Sequence, residues 1–213
     1  MAVTKVNYGH PPTLTIGEAV AEDAKIVFDG NAQDFHIGLD DSADDLVIGL
    51  GSALGTTTHM AFDETGAIIK PLQPAMLALS ALVSNVSGDG SAYNTANFET
   101  EVFDQNADFN NTTFTFTAPV TGKYSASITT HIGGHASDNT RAMARIVASN
   151  REIILYDIHG YNISQPDPKF VLSGHTLVDM DVNDTISVRF HAYNGSKVVD
   201  WMANSSLSIY LVA

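Results

Sequence analysis

Lys123–Ile132 reads KYSASITTHI. On an extended chain Tyr124, Ala126, Ile128 and Ile132 share one face, with Ser125, Ser127 and Thr129 opposite. Successive side chains of a strand point to opposite sides of the pleat, so this period of two predicts a half-buried β-strand. The pattern recurs. DTISVRFHA (184–192) alternates Ile186, Val188, Phe190 and Ala192, and SSLSIYLVA (205–213) alternates Leu207, Ile209 and Leu211. TTFTFTA (112–118) puts Phe114 and Phe116 on one side. One dry and one wet face per strand predicts an antiparallel sandwich.

Strands at about 124–132, 141–148, 152–158, 170–181, 185–192 and 204–212 then run alternately up and down. PVTGK (119–123), SNR (149–151) and VND (182–184) become tight turns at one end. GGHASDNT (133–140), HGYNISQPDP (159–168) and YNGSKVVDWMAN (193–204) become long polar loops that meet at the other end. Recognition concentrates on loops held by a rigid scaffold. Tyr161, Asn162, Tyr193, Asn194 and Trp201 are therefore candidate contact residues, because flat rings beside amide groups suit sugars and other polar surfaces. The competing reading puts Trp201, the only tryptophan, in the core where the last strand begins.

Upstream, KPLQPA (70–75) marks a linker between two modules, residues 1–70 and 75–213. In the first, apolar clusters recur at 26–28, 35–39, 46–50 and 60–62, separated by turn-forming groups such as DGN and DETG. This predicts a meander of four to six very short strands. So small a module buries too little surface to offset its chain entropy, so it is expected to pack against copies of itself or a larger neighbour.

The turn DDSADD (40–45) gathers Asp40, Asp41, Asp44 and Asp45, whose hard oxygens could serve Ca²⁺. It lacks the spaced ligands and closing glutamate of an EF-hand loop. The alternative is a solvated acidic turn that keeps a β-rich surface soluble and blocks edge pairing. His131 and His135 in HIGGH have metal spacing only if helical, and no Gly-x-Ser-x-Gly elbow focuses a nucleophile. No other cofactor is expected.

The chain has 213 residues, a net charge of -14 and no cysteine. An acidic chain cannot neutralise phosphates, so a nucleic-acid partner is excluded. MAVTKVNYGHPP lacks the apolar core of a secretory signal, and no run approaches the roughly 18 apolar residues of a membrane helix. A soluble protein made without export is expected.

Residues of about 75–213 resemble the C1q/TNF-like jelly roll, specifically the C1q-like globular head. The resemblance is carried by LALSALV (77–83), FDQNADFNNTTFTFTAPVTGKYSASI (103–128), HTLVDMDVNDTISVRF (175–190) and SSLSIYLVA. Phe116, Thr117, Pro119, Gly122 and Tyr124 fit the family's Phe-Thr-x-Pro-x-x-Gly-x-Tyr pattern. Asn183 stands where the family has glycine, and Leu207 and Tyr210 replace its closing Phe and Gly. No collagen stalk precedes the head. The stretch from Leu14 to Thr57 resembles a segment of structural and fibre-like proteins of tailed bacteriophages, especially marine ones.

Together these resemblances imply an all-β homotrimer: an N-terminal β-meander stem followed by a C1q/TNF-like antiparallel jelly-roll sandwich. The termini of the head would lie at the tight-turn end, the stem toward other virion proteins and the loops outward. The expected role is that of a non-enzymatic bacteriophage virion surface protein, made in the bacterial cytoplasm. A fibre or spike would attach to a host glycan or protein, whereas a capsid decoration protein would cement the shell. An enzyme acting on glycans is the least favoured reading.

Overall fold

A computed structural model describes residues 15–87, 94–135, 139–159, 169–194 and 198–213. Every regular element among them is a β-strand. The chain divides into two compact units, Met1–Leu72 and Gln73–Ala213.

The first unit is an antiparallel meander: β1 (Ala24–Phe28), β2 (Phe35–Asp40), β3 (Asp45–Leu50), β4 (Thr58–Phe62) and β5 (Ile68–Ile69), in that spatial order. Each strand falls on one of the short apolar runs of the sequence. Turn chemistry separates them. Asp63 Oδ1 accepts the amide and hydroxyl of Thr65, which holds this carboxyl below its ordinary pKa. One side of the sheet buries Val47, Ala61 and His36, whose Nδ1 lies 2.9 Å from the Gly51 carbonyl oxygen.

The second unit contains β6 (Ala75–Leu79), β7 (Val83–Ser87), β8 (Asn94–Thr95), β9 (Thr100–Asp104), β10 (Phe109–Asn110) and β11 (Thr115–Thr117). It continues with β12 (Gly122–Gly133), β13 (Arg141–Ala148), β14 (Arg151–His159), β15 (Phe170–Met180), β16 (Thr185–Tyr193), β17 (Val198–Trp201) and β18 (Ser206–Leu211). One sheet has the order β10-β11-β16-β13-β14, with β8 also on β16. The other runs β7-β17-β12-β18-β6-β9, with β15 along β12. The chain crosses repeatedly between the two, as a jelly-roll sandwich requires.

The alternating residues form the core. Tyr124, Ile128, Ile132, Ile186, Val188, Phe190, Leu207 and Ile209 are all buried between the sheets. The Tyr124 hydroxyl donates to the Val120 carbonyl at 2.7 Å, so the one polar atom this ring carries inward is paired. At the β15–β16 turn Asn183 adopts φ 71°. Asparagine is among the few non-glycine residues that tolerate this left-handed region, which explains how it replaces the expected glycine. A Cβ on Gly174 would lie 2.8 Å from that of Leu155, so glycine here lets β15 approach β14.

Two sequence expectations need correction. Phe114 does not continue the β11 alternation: it sits at φ 56°, outside the strand, while Phe116 is fully buried. Residues 193–204 are not one loop, because Val198–Trp201 forms β17 and pairs with both β12 and β7.

The register fixes the polarity of the sandwich. Arg141 pairs with both His159 and Tyr193, so the start of β13 and the ends of β14 and β16 lie side by side. At the opposite end Ala148 pairs with Arg151 and Ile186, Gly122 with Met180, and Ala75 with Tyr210. The entry to β6 and the end of β18 therefore share the tight-turn end.

Candidate functional site

At the loop end Arg141, Asp157, His191 and Tyr193 come from three adjacent strands, β13, β14 and β16. Arg141 grips Asp157 through two hydrogen bonds, Nε to Oδ1 at 2.6 Å and a terminal nitrogen to Oδ2 at 2.5 Å. The fork-on-carboxylate geometry is the strongest form of this pair, and it holds the Asp157 carboxyl below its ordinary pKa. The guanidinium also lies 5.1 Å from the centre of the Tyr193 ring, over its face. Period-two spacing places the buried His191 beside Tyr193, and the rings stack at 3.9 Å with planes 9° apart.

Two asparagines tie the entry to β13 to the end of β16 beside this cluster. Asn139 Nδ2 donates to the Asn194 carbonyl at 2.7 Å, and Asn194 Nδ2 donates to Thr140 Oγ1 at 2.7 Å. The site is thus a braced polar rim: a bidentate ion pair with an amide-rich edge, resting on a stacked imidazole and phenol.

The candidate residues divide as follows. Tyr193 and Asn194 belong to this rim. Tyr161 and Asn162 lie outside the described residues. Trp201 is not a loop contact: only 2% of it is exposed, its ring meets Phe98 and Phe190 at 5.8 Å each, and Nε1 donates to the Asn97 carbonyl at 3.2 Å. It fills the core because β17 continues the sheet beside Ile132. Tyr193 differs from the expected bare platform, since an imidazole occupies one ring face and a guanidinium sits over the ring. Arg141, Asp157 and His191 escaped sequence reasoning, because only the β13–β14–β16 register brings them together.

The aspartates of residues 40–45 form the β2–β3 hairpin turn. Asp40 Oδ1 accepts the amide and hydroxyl of Ser42 at 3.1 and 2.6 Å, and the Asp41 amide donates to Asp23 Oδ1 at 3.1 Å. Asp44 adopts φ 56°. Asp40 therefore caps the turn, and among the described residues no three His, Asp or Glu side chains assemble as a metal-ligand set. His131 stays in the β12 ladder, and His135 is buried against Phe170 with ring centres 5.5 Å apart.

Two concavities complete the inventory. An apolar pocket of about 220 Å³ is walled by Val83, Val86, Phe114, Phe190 and Trp201. An open cleft of about 590 Å³ near the tight turns is lined by Asp108, Asn110, Pro119 and Asn183, among others. Burial, reinforced by the neighbouring Asp104, pushes the Asp108 carboxyl above its ordinary pKa, and its Oδ2 is buried without a hydrogen bond. Asp104 spends both oxygens on the amides of Asp108 and Phe109, so the two acids are not a free carboxylate pair.

No protein-family model matches the sequence. No curated protein matches it. Among solved structures, the chain is similar to the globular domain of zebrafish complement 1qA protein, at 17% identity and TM-score 0.49, covering 66% of this chain and 98% of that one. It is similar to murine APRIL at 10% identity and TM-score 0.45, covering 66% and 99%. Eiger TNF from S. frugiperda is similar at 14% identity and TM-score 0.46, covering 66% and 94%. By its own topology the second unit is an antiparallel sandwich of two sheets.

Proposed function

We propose that this chain is a non-enzymatic bacteriophage virion surface protein, a homotrimeric fibre or spike that touches a host surface with the loop end of its head. The polarity of the sandwich carries the reading. Chain entry and tight turns share one end, while the braced rim of Arg141, Asp157 and Asn194 stands at the other. Three weak copies of such a rim on one particle gain avidity that a shallow site lacks alone.

Self-association has its own support in the outward face of the β6–β18–β12–β15 sheet. There Leu177, Ser125, Tyr210 and Ala75 form one cross-strand row, and His175, Ser127, Ser208, Leu77 and Phe103 form the next. Leu177 is 61% exposed, Tyr210 50% and Phe103 49%, and the Lys123–Asp179 ion pair lies one row further toward the tight turns. Exposed large apolar side chains set among small serines suit burial between copies.

The acidic meander is assigned to docking on other virion proteins. Labelling the protein on intact particles tests the role. A few tens of copies or fewer on fibres, and reduced adsorption by Tyr193→Ala or Asp157→Asn particles, are expected. Hundreds of copies over the shell would favour the decoration reading, and unchanged adsorption would remove the rim from it.

A further inference from the structure

The meander has one side that no described residue of the unit covers. Its registers align Ile26, Ile37, Ile48 and Met60 in a single row across β1–β4. Phe28, Phe35 and Leu50 form the row on one flank, and Leu39, Leu46 and Phe62 lie on the other. All ten are apolar, and Ile68 extends the last row into β5. Seven side chains of this face are 39–61% exposed. The reverse face is already closed on itself: Val47, Ala61 and His36 are buried, and a Cβ on Gly49 would strike both the Thr57 carbonyl and the His36 ring.

We propose that this face is a self-association surface, where three copies of the meander pack around a dry axis as a three-sided β-prism. The inference rests on the homotrimer reading above and adds a second interface to it. Three observations select a second copy over another partner. The ten residues of the three rows are all apolar, and the one imidazole beside them, His59, lies at the margin with its ring centre 6.1 Å from that of Phe35; the best complement of such a face is an equally apolar one, which each copy supplies. The area fits a supplementary contact. Four strands of five or six residues and the two-residue β5, spaced about 4.8 Å apart, present on the order of 400 Å² in projection. Three such faces together hide on the order of 1,200 Å² over three pairwise contacts, so the meander adds to the interface between the heads rather than replacing it. Finally, heads held as a trimer keep the three meanders at millimolar effective concentration through a short linker.

The test exploits the absence of cysteine. Ile48→Cys and Met60→Cys place one thiol at the centre of the face, and Lys25→Cys places one on the reverse side. Each full-length variant is weighed by light scattering and then treated at low micromolar concentration with a short bismaleimide. The proposal expects a mass of about three times 22.7 kDa and linked pairs on a denaturing gel for both face variants. Lys25→Cys should give none. A monodisperse dye-maleimide should also label the face thiols at least tenfold more slowly than Cys at position 25. A threefold mass without face-specific linking overturns the prism and leaves the homotrimer standing. A mass of 22.7 kDa overturns both. Using two face positions guards against one substitution unfolding the sheet.

Discussion

The indole N–H of Trp201 ends on the backbone carbonyl of Asn97, 3.2 Å away and 104 residues earlier in the chain. This bond closes the β7–β17 edge of the sandwich over the Phe98 and Phe190 rings. Trp201→Ala is expected to cost about 3–5 kcal/mol through the cavity it leaves. Trp201→Phe retains most packing but orphans the Asn97 carbonyl, for about 1–3 kcal/mol. Urea titration of both variants checks the order. Binding to cells should fall only with the folded fraction.

The Arg141–Asp157 pair sets an acid limit. The Asp157 carboxyl is depressed first by its hydrogen bonds from Arg141. A depressed carboxyl contributes stability that is fully present above its unfolded pKa, near 4, and is lost as pH falls through its folded value. Because both side chains are about one-third exposed, the contribution is below about 1 kcal/mol. Asp157→Asn should lower the melting temperature slightly at pH 7 and not at all near pH 2.

Asp108 has the opposite sign. Its pKa is raised by burial and by Asp104, so ionisation weakens the fold as pH climbs from about 4 through the raised value. Asp108→Asn is expected to melt a few degrees higher than wild type at pH 7, with the two proteins converging below about pH 4. Calorimetry across that range decides it. An unchanged midpoint at pH 7 would mean the buried Oδ2 carries no penalty.

Leu177 separates folding from assembly, because at 61% exposure it contributes little to a single sandwich. Leu177→Asp should leave the circular dichroism spectrum intact while weakening self-association of the head at least tenfold. Sedimentation velocity over a dilution series reads the change.

A net charge of -14 per chain accumulates when copies gather. Asp40, Asp41, Asp44, Asp45, Asp63 and Glu64 all belong to the turns at one end of the meander. Their mutual repulsion is screened over a Debye length of about 10 Å at 0.1 M salt and about 3 Å at 1 M. Thermal stability is therefore expected to rise between 20 mM and 500 mM sodium chloride. A chelator at fixed ionic strength should do nothing unless Asp40–Asp45 holds calcium.

Strand positions were legible because alternation is a local signal. Tyr124 to Ile132 declares its buried face within ten residues, and the meander strands announce themselves between turn residues. The polar rim was half legible. Tyr193 and Asn194 sit beside a polar loop and draw notice, but Arg141, Asp157 and His191 look like ordinary strand residues until β13, β14 and β16 are set side by side. Trp201 carried two readings, loop contact and core residue, and the core reading holds. Polar neighbours suggested a loop, whereas pairing of β17 with β12 and β7, which leaves no trace in local sequence, turned the ring inward. Phe114 failed because a single left-handed residue ended the alternation.

The pairing of Ala75 with Tyr210 at the tight-turn end has a mechanical meaning. Tension applied between residue 73 and the loop end would run parallel to β6, whereas the ladder bonds joining it to β18 lie across the strands. The five residue pairs from Ala75–Tyr210 to Leu79–Ser206 would then carry the load together in shear, rather than unzipping one after another. Under a load along β6, the second unit would resist with a whole ladder at once instead of yielding one pair at a time.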